Sequence, residues 1–153
     1  MQYTWSDIEG LCLDISRQIT NDNWKPDYIV GIMPTGAVPA LLISHYLNTR
    51  LESTHVNESN SWMSEDAFDG KNILVIDSLT NDDTFDYIKY DWVDSCNPNN
   101  EDWGSIFGSN VKFATLVHDT ALTNTVQYYA TEINAIDENI NVKFPWENFW
   151  RNS

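Results

Sequence analysis

Positive charge is what this sequence has least of. Its 153 residues hold eight Lys and Arg against 23 Asp and Glu, a formal net charge of −15. Nucleic-acid binding through phosphates needs a basic surface, so that class of function is excluded. A polyanionic small molecule is also disfavoured, unless a metal ion or backbone amides offset the field. Cysteine is scarce as well. Cys12 and Cys96 are too few for a disulfide scaffold and lack metal-ligand spacing. No apolar run approaches the roughly 20 residues of a membrane span. The segment Met1 to Asp7 has neither the basic nor the apolar region of a secretory signal. These absences point to a cytoplasmic protein with no membrane partner.

Hydrophobic residues make up 42% of the chain, enough for a core, and the length fits one domain over 1–153. Ser6 and Glu9 form a capping-box pattern after Trp5. Ile8, Leu11, Cys12, Ile15 and Ile19 follow at helical spacing. Tyr28 to Ile32 is a continuous apolar run of the kind found in buried parallel strands. Met33 to Gly36 is a loop, and Pro39 sits in the first turn of a second helix. Leu51 to Val56 reads as a strand, and 57–72 as a polar, mobile connection. Ile73 to Asp77 is the clearest strand. Thr84 is placed to cap a helix carrying Phe85, Ile88, Trp92 and Val93. Residues 97–108 read as loop, 111–117 as a strand and 127–131 as another. Alternating helices and strands predict a doubly wound α/β domain with a mainly parallel sheet. Ligands of such sheets bind at the carboxyl ends of the strands.

Few residues stand out as chemistry on their own. Cys12 lies on an apolar helix face and reads as core, His45 and His55 as structural or surface. His118 ends a strand where ligand loops begin, which makes it a site candidate. No Ser-His-Asp or Cys-His spacing marks a nucleophile. Asp77, Asp82, Asp83 and Asp86 offer oxygen ligands for Mg²⁺ or Ca²⁺ but lack the glycine and terminal glutamate of an EF-hand. The segment 77–102 carries eight acids against Lys89 alone, interleaved with Phe85, Tyr87, Tyr90, Trp92 and Trp103. It reads either as a solvated helix face or as a surface for a basic protein partner.

Five pieces in order then resemble the type I phosphoribosyltransferases of the small xanthine-guanine kind. They are Trp5-Ser6-Asp7-Ile8 with Leu11-Cys12-Leu13, Lys25 to Ile32 followed by Gly36 to Ala40, Ile73 to Asp77, Lys112 to Leu116, and Phe144-Pro145-Trp146-Glu147. Short members also occur in tailed phages, and the Asn-rich, acidic composition suits one; the compartment is then the host cytoplasm. The resemblance implies transfer of the phosphoribosyl group of Mg²⁺-phosphoribosyl pyrophosphate to a purine base, and a homodimer.

The same resemblance assigns the site. Met33, Pro34, Thr35 and Gly36 fall in the pyrophosphate loop, where Pro34-Thr35 stand at the family's Arg-Gly. Asp77 keeps the first acid of the phosphoribosyl-pyrophosphate motif, the position that would meet the metal, and Ser78 replaces the second. Asn81 stands at the loop aspartate that serves catalysis. Asp82 and Asp83 occupy the phosphate-cradling turn, which is one residue short and has no glycine, and Thr84 closes it. Carboxylates there repel a phosphate. In the base loop, His118 precedes Asp119-Thr120, which stand where the family has Lys-Pro. The stacking aromatic falls near Asn141, leaving Val142 and Phe144 to line the base site. Four sites altered together favour a catalytically degenerate homologue that binds a protein partner or a small ligand and needs no cofactor. The alternative is an active purine phosphoribosyltransferase using Mg²⁺.

Overall fold

A computed structural model describes residues 1–96, 98–99 and 101–148. The elements are α1 (Trp5–Asn21), β1 (Tyr28–Ile32), α2 (Ala37–Leu47), β2 (Arg50–Thr54), α3 (Ser61–Phe68), β3 (Ile73–Leu79), α4 (Asp82–Cys96), α5 (Trp103–Ile106), β4 (Val111–Asp119), β5 (Tyr128–Ile133) and α6 (Ala135–Glu138), with a final 3-10 turn over Pro145–Asn148. The five strands form one sheet in the order β2-β1-β3-β4-β5, and every pairing is parallel. The doubly wound α/β expectation holds.

The strands are continuous apolar runs because both sheet faces are covered. Alternate residues of β1 show it. Ile29 packs with Ile8, Cys12, Ile15, Ala40 and Ile43 of α1 and α2. Tyr28, Val30 and Ile32 pack with Met63, Phe85, Ile88, Trp92 and Trp103 of α3, α4 and α5. Among the described residues, no helix is long and apolar enough to cross a membrane.

Several boundaries differ from the sequence expectation. The cap of α1 is Thr4, not Ser6: its hydroxyl accepts from Asp7 N–H at 3.1 Å, and Asp7 accepts from Thr4 N–H at 2.8 Å. Both residues suit the role, but Thr4 is the one with extended backbone, φ −91° and ψ 168°. Trp5 is therefore helical, and α2 likewise begins two residues before Pro39. β2 ends at Thr54, and β4 and β5 each run two residues further than expected.

The polar connection 57–72 is a correction of substance. It contains α3, whose Met63 and Ala67 are fully buried. The Ser64 hydroxyl donates to the Trp92 carbonyl of α4. The loop expected over 97–108 likewise contains α5, with Trp103 and Ile106 buried.

Candidate functional site

The strand order reverses between β1 and β3. Their successors leave in opposite directions, and this opens a crevice at the carboxyl ends of both strands. The cleft there has a volume of about 300 Å³. The β1 exit (Met33, Pro34, Thr35), the β3 exit (Asp77, Ser78, Leu79), Asn81 and Thr84 line it. The chain's end closes it with Val142, Phe144 and Glu147.

The two exits are stitched together. Gly36 N–H donates to the Ile32 carbonyl at 2.6 Å and begins α2. A Cβ on Gly36 would lie 2.5 Å from the Ile76 carbonyl oxygen and 2.7 Å from that of Ile32. Only glycine lets the loop sit this close to both strands. Thr35 is thereby placed so that its hydroxyl donates to Asp77 Oδ1 at 2.7 Å, and the same oxygen accepts Ser78 N–H at 2.7 Å. Asp77 is 4% exposed. Burial raises its pKa to about 6, against the pull of the Thr35 and Ser78 hydrogen bonds.

Two amides of the turn after β3 are bonded within the protein. Thr80 N–H donates to the Val117 carbonyl. The Asn81 side chain accepts Thr84 N–H at 3.1 Å, so Asn81 does the capping expected of Thr84, and α4 starts two residues before Thr84. Asp82 points away from the cleft. Its carboxylate accepts from the backbone N–H groups of Thr123 and Asn124, the Thr123 hydroxyl and the Asn124 amide, at 2.7–3.0 Å. Burial opposes the charge on Asp82, but these four bonds outweigh it and hold the pKa at about 2. Asn124 in turn donates to Asp86 and accepts from Lys89 Nζ at 2.7 Å. Asp83 is exposed and does not line the cleft.

The base loop is also committed elsewhere. His118 Nδ1 lies 2.8 Å from the Thr80 hydroxyl, and its ring packs on Tyr129 with centroids 5.0 Å apart. Asp119 Oδ1 accepts from Ala121 N–H and Ala135 N–H, which fixes the start of the loop and of α6. Neither residue lines the cleft.

Of the residues singled out from sequence, Met33, Pro34, Thr35, Asp77, Ser78, Asn81, Thr84, Val142 and Phe144 meet in one cleft. Gly36, Asp82, Asp83, His118 and Asp119 do not line it. Phe144 is 2% exposed and stacks with Trp146 and Tyr3, so it presents no open ring face to a ligand. Glu147 is the lining residue that the sequence reading did not assign to the site. It lines the cleft, and its Oε2 accepts Phe144 N–H at 2.7 Å. The Pro-Trp-acid ending was its one signal. Among the described residues, no three His, Cys, Asp or Glu side chains converge as a metal site.

No family model matches this sequence. No curated protein matches it. Solved structures do, and they define the class: the chain has the type I phosphoribosyltransferase fold. It is similar to the purine phosphoribosyltransferase of Pyrococcus horikoshii, with a TM-score of 0.70 and 17% identity over 97% of this chain and 95% of that one. It is also similar to the xanthine-guanine-hypoxanthine phosphoribosyltransferase of Helicobacter pylori, with 0.69, 14%, 99% and 95% respectively. A Neisseria gonorrhoeae hypothetical protein solved with bound ppGpp gives 0.69, 15%, 99% and 92%.

Proposed function

We propose that this chain is a binding protein built on the phosphoribosyltransferase fold, whose cleft takes a small ligand without transferring a phosphoribosyl group. The observation that carries this reading is the charge of the cleft. Its lining includes Asp77 and Glu147 but no Lys, Arg or His among the described residues. Phosphoryl chemistry relies on cations and preorganised donors at the phosphates. Here the Thr84 and Thr80 amides of the turn are already bonded within the protein.

The outer face of α4 extends the reading to a protein partner. Phe85, Ile88 and Trp92 are buried, while Asp83, Asp86, Tyr87 and Tyr90 are exposed. A basic protein is the partner that such a face fits.

The active-enzyme reading has one observation in its favour. Asp82 and Asp83 leave the cleft, so the turn places no carboxylate of its own against a phosphate, and Asp77 and Thr84 remain in the lining. Mg²⁺ would then arrive with the pyrophosphate substrate and meet Asp77. Calorimetric titration of Mg²⁺-phosphoribosyl pyrophosphate separates the two readings. No heat at millimolar ligand is expected. Micromolar binding, followed by nucleotide formation from guanine, xanthine or hypoxanthine, would overturn the binding-protein reading.

A further inference from the structure

We infer that the cleft at the β1–β3 switch holds an organic cation, an ammonium or amidinium group on a compact apolar body. The inference rests on the reading above, that the cleft binds a small ligand other than phosphoribosyl pyrophosphate.

The polar half of the argument is the pair of carboxylates. Asp77 is fixed by Thr35 and Ser78, and Glu147 by the Phe144 amide. Both are therefore preorganised, and neither has a basic side chain beside it in the lining. A cleft lined by one sign of charge concentrates ligands of the other sign.

Four of the eight Lys and Arg lie at the far end of the sheet, while Lys143, between the lining residues Val142 and Phe144, is exposed and outside the lining. Lys25, Arg50, Lys71 and Lys112 each lie within three residues of the start of β1, β2, β3 or β4, at the amino end of the sheet. Arg50 pairs with Glu52, Lys71 with Asp66, and Lys112 with Asp22. A strand of five residues separates the sheet's ends by roughly 17 Å. That exceeds the Debye length of about 8 Å at physiological salt, so these cations do not neutralise the cleft.

The apolar half is the wall made by Ile32, Met33, Val56, Leu79 and Val142. Phe144 offers no open face, so the wall suits an aliphatic or edge-on body better than a stacked base. Asp77 is held partly protonated near neutral pH by burial, and an arriving cation favours its charged form.

The test uses three probes of one shape on the intact protein: benzylamine, benzyl alcohol and benzoate, titrated by amide NMR. Saturable benzylamine shifts at Ser78 and Thr84 are expected. Affinity should exceed that of benzyl alcohol by about tenfold, with benzoate silent. Glu147→Gln keeps an acceptor for Phe144 N–H and should weaken benzylamine about fivefold, with the alcohol unmoved. Equal binding of amine and alcohol, no amine binding, or shifts confined to α4 would each overturn the inference. Mg²⁺-phosphoribosyl pyrophosphate is titrated in parallel. If it binds, the underlying reading fails. If neither it nor benzylamine binds, only the cation assignment fails.

Discussion

The hydroxyl of Thr35 donates to Oδ1 of Asp77 at 2.7 Å, and this bond joins the loop after β1 to the end of β3. The two residues are 42 positions apart, Thr35 in the loop after β1 and Asp77 on β3, and these two strands pair in parallel. The contact explains how a carboxylate as buried as Asp77 is tolerated. One oxygen takes two donors, which recovers part of what leaving water costs. Pro34 and Thr35 stand where the resemblance places Arg-Gly, and Thr35 supplies a neutral donor to an acid.

Asp77 makes stability fall as pH rises. Its pKa is lifted from 3.8 to about 6 in the folded protein, so the folded state holds the proton more tightly than the unfolded chain. Stability from this group is full below 3.8 and declines as pH climbs through about 6. Asp77→Asn keeps an acceptor for Thr35 and removes the charge. It should be the more stable protein above that range, by up to about 3 kcal/mol. The gap should close towards pH 4. Urea melts of both proteins across pH 4–8 check this, and a gap that stays constant with pH would refute it.

Asp82 holds the 119–124 loop to the start of α4. Removing it strands the amides of Thr123 and Asn124. Asp82→Ala should cost about 1–3 kcal/mol at neutral pH and speed hydrogen exchange at 120–124 before it does so in β3. The sign with pH is opposite to that of Asp77. The Asp82 pKa is lowered from 3.8 to about 2, so its contribution is present above 3.8 and disappears as pH falls towards 2. Exchange that rises uniformly over the chain would show that the loop is not anchored by this residue.

The strands were legible because a buried parallel strand writes itself as an unbroken apolar run, as at Ile73 to Ile76. α3 was not, because Glu65 and Asp66 interrupt its short pattern and Asn60 makes no side-chain cap. The cleft was legible in part, since the strand order directs attention to the loops after β1 and β3. Of its far wall, the resemblance pointed to Val142 and Phe144 but not to Glu147. Glu147 reaches the cleft because the terminal segment folds back on the N-terminus, where Gln2 bridges Lys143 and the Met1 amine donates to the Asn141 carbonyl. That contact spans 140 residues, and no local pattern encodes it. The fate of Asp82 was hidden for the same reason, its partners lying 41 and 42 positions away.

The helix cap gives a cleaner contrast. Thr4 and Ser6 both carry a capping side chain, but only Thr4 makes the reciprocal bonds with Asp7. Thr4→Ala should destabilise by about 1 kcal/mol. Ser6→Ala, one turn position inside an exposed helix start, should change little or stabilise slightly. Chemical melts of the two variants decide it, and the reverse ranking would restore Ser6 as the cap.

Gly36 is the position on which the geometry of the cleft depends. It sits between the carbonyls of Ile32 and Ile76, which belong to the two strands that flank the switch. Both contacts are with backbone, so no side-chain rotation relieves them. Gly36→Ala therefore has to push the loop off the sheet or separate β1 from β3. The first outcome breaks the Gly36 N–H bond to Ile32 and carries Thr35 away from Asp77. Gly10 provides the matched control, since a Cβ there meets nothing within 4 Å, and replacing it by alanine in α1 should stabilise by up to about 1 kcal/mol. Gly36→Ala should lower stability by about 2–4 kcal/mol and shift the amide resonances of Thr35 and Ser78 most. A Gly36→Ala protein as stable as the Gly10→Ala one, with Ser78 unshifted, would mean that the loop does not need the close approach.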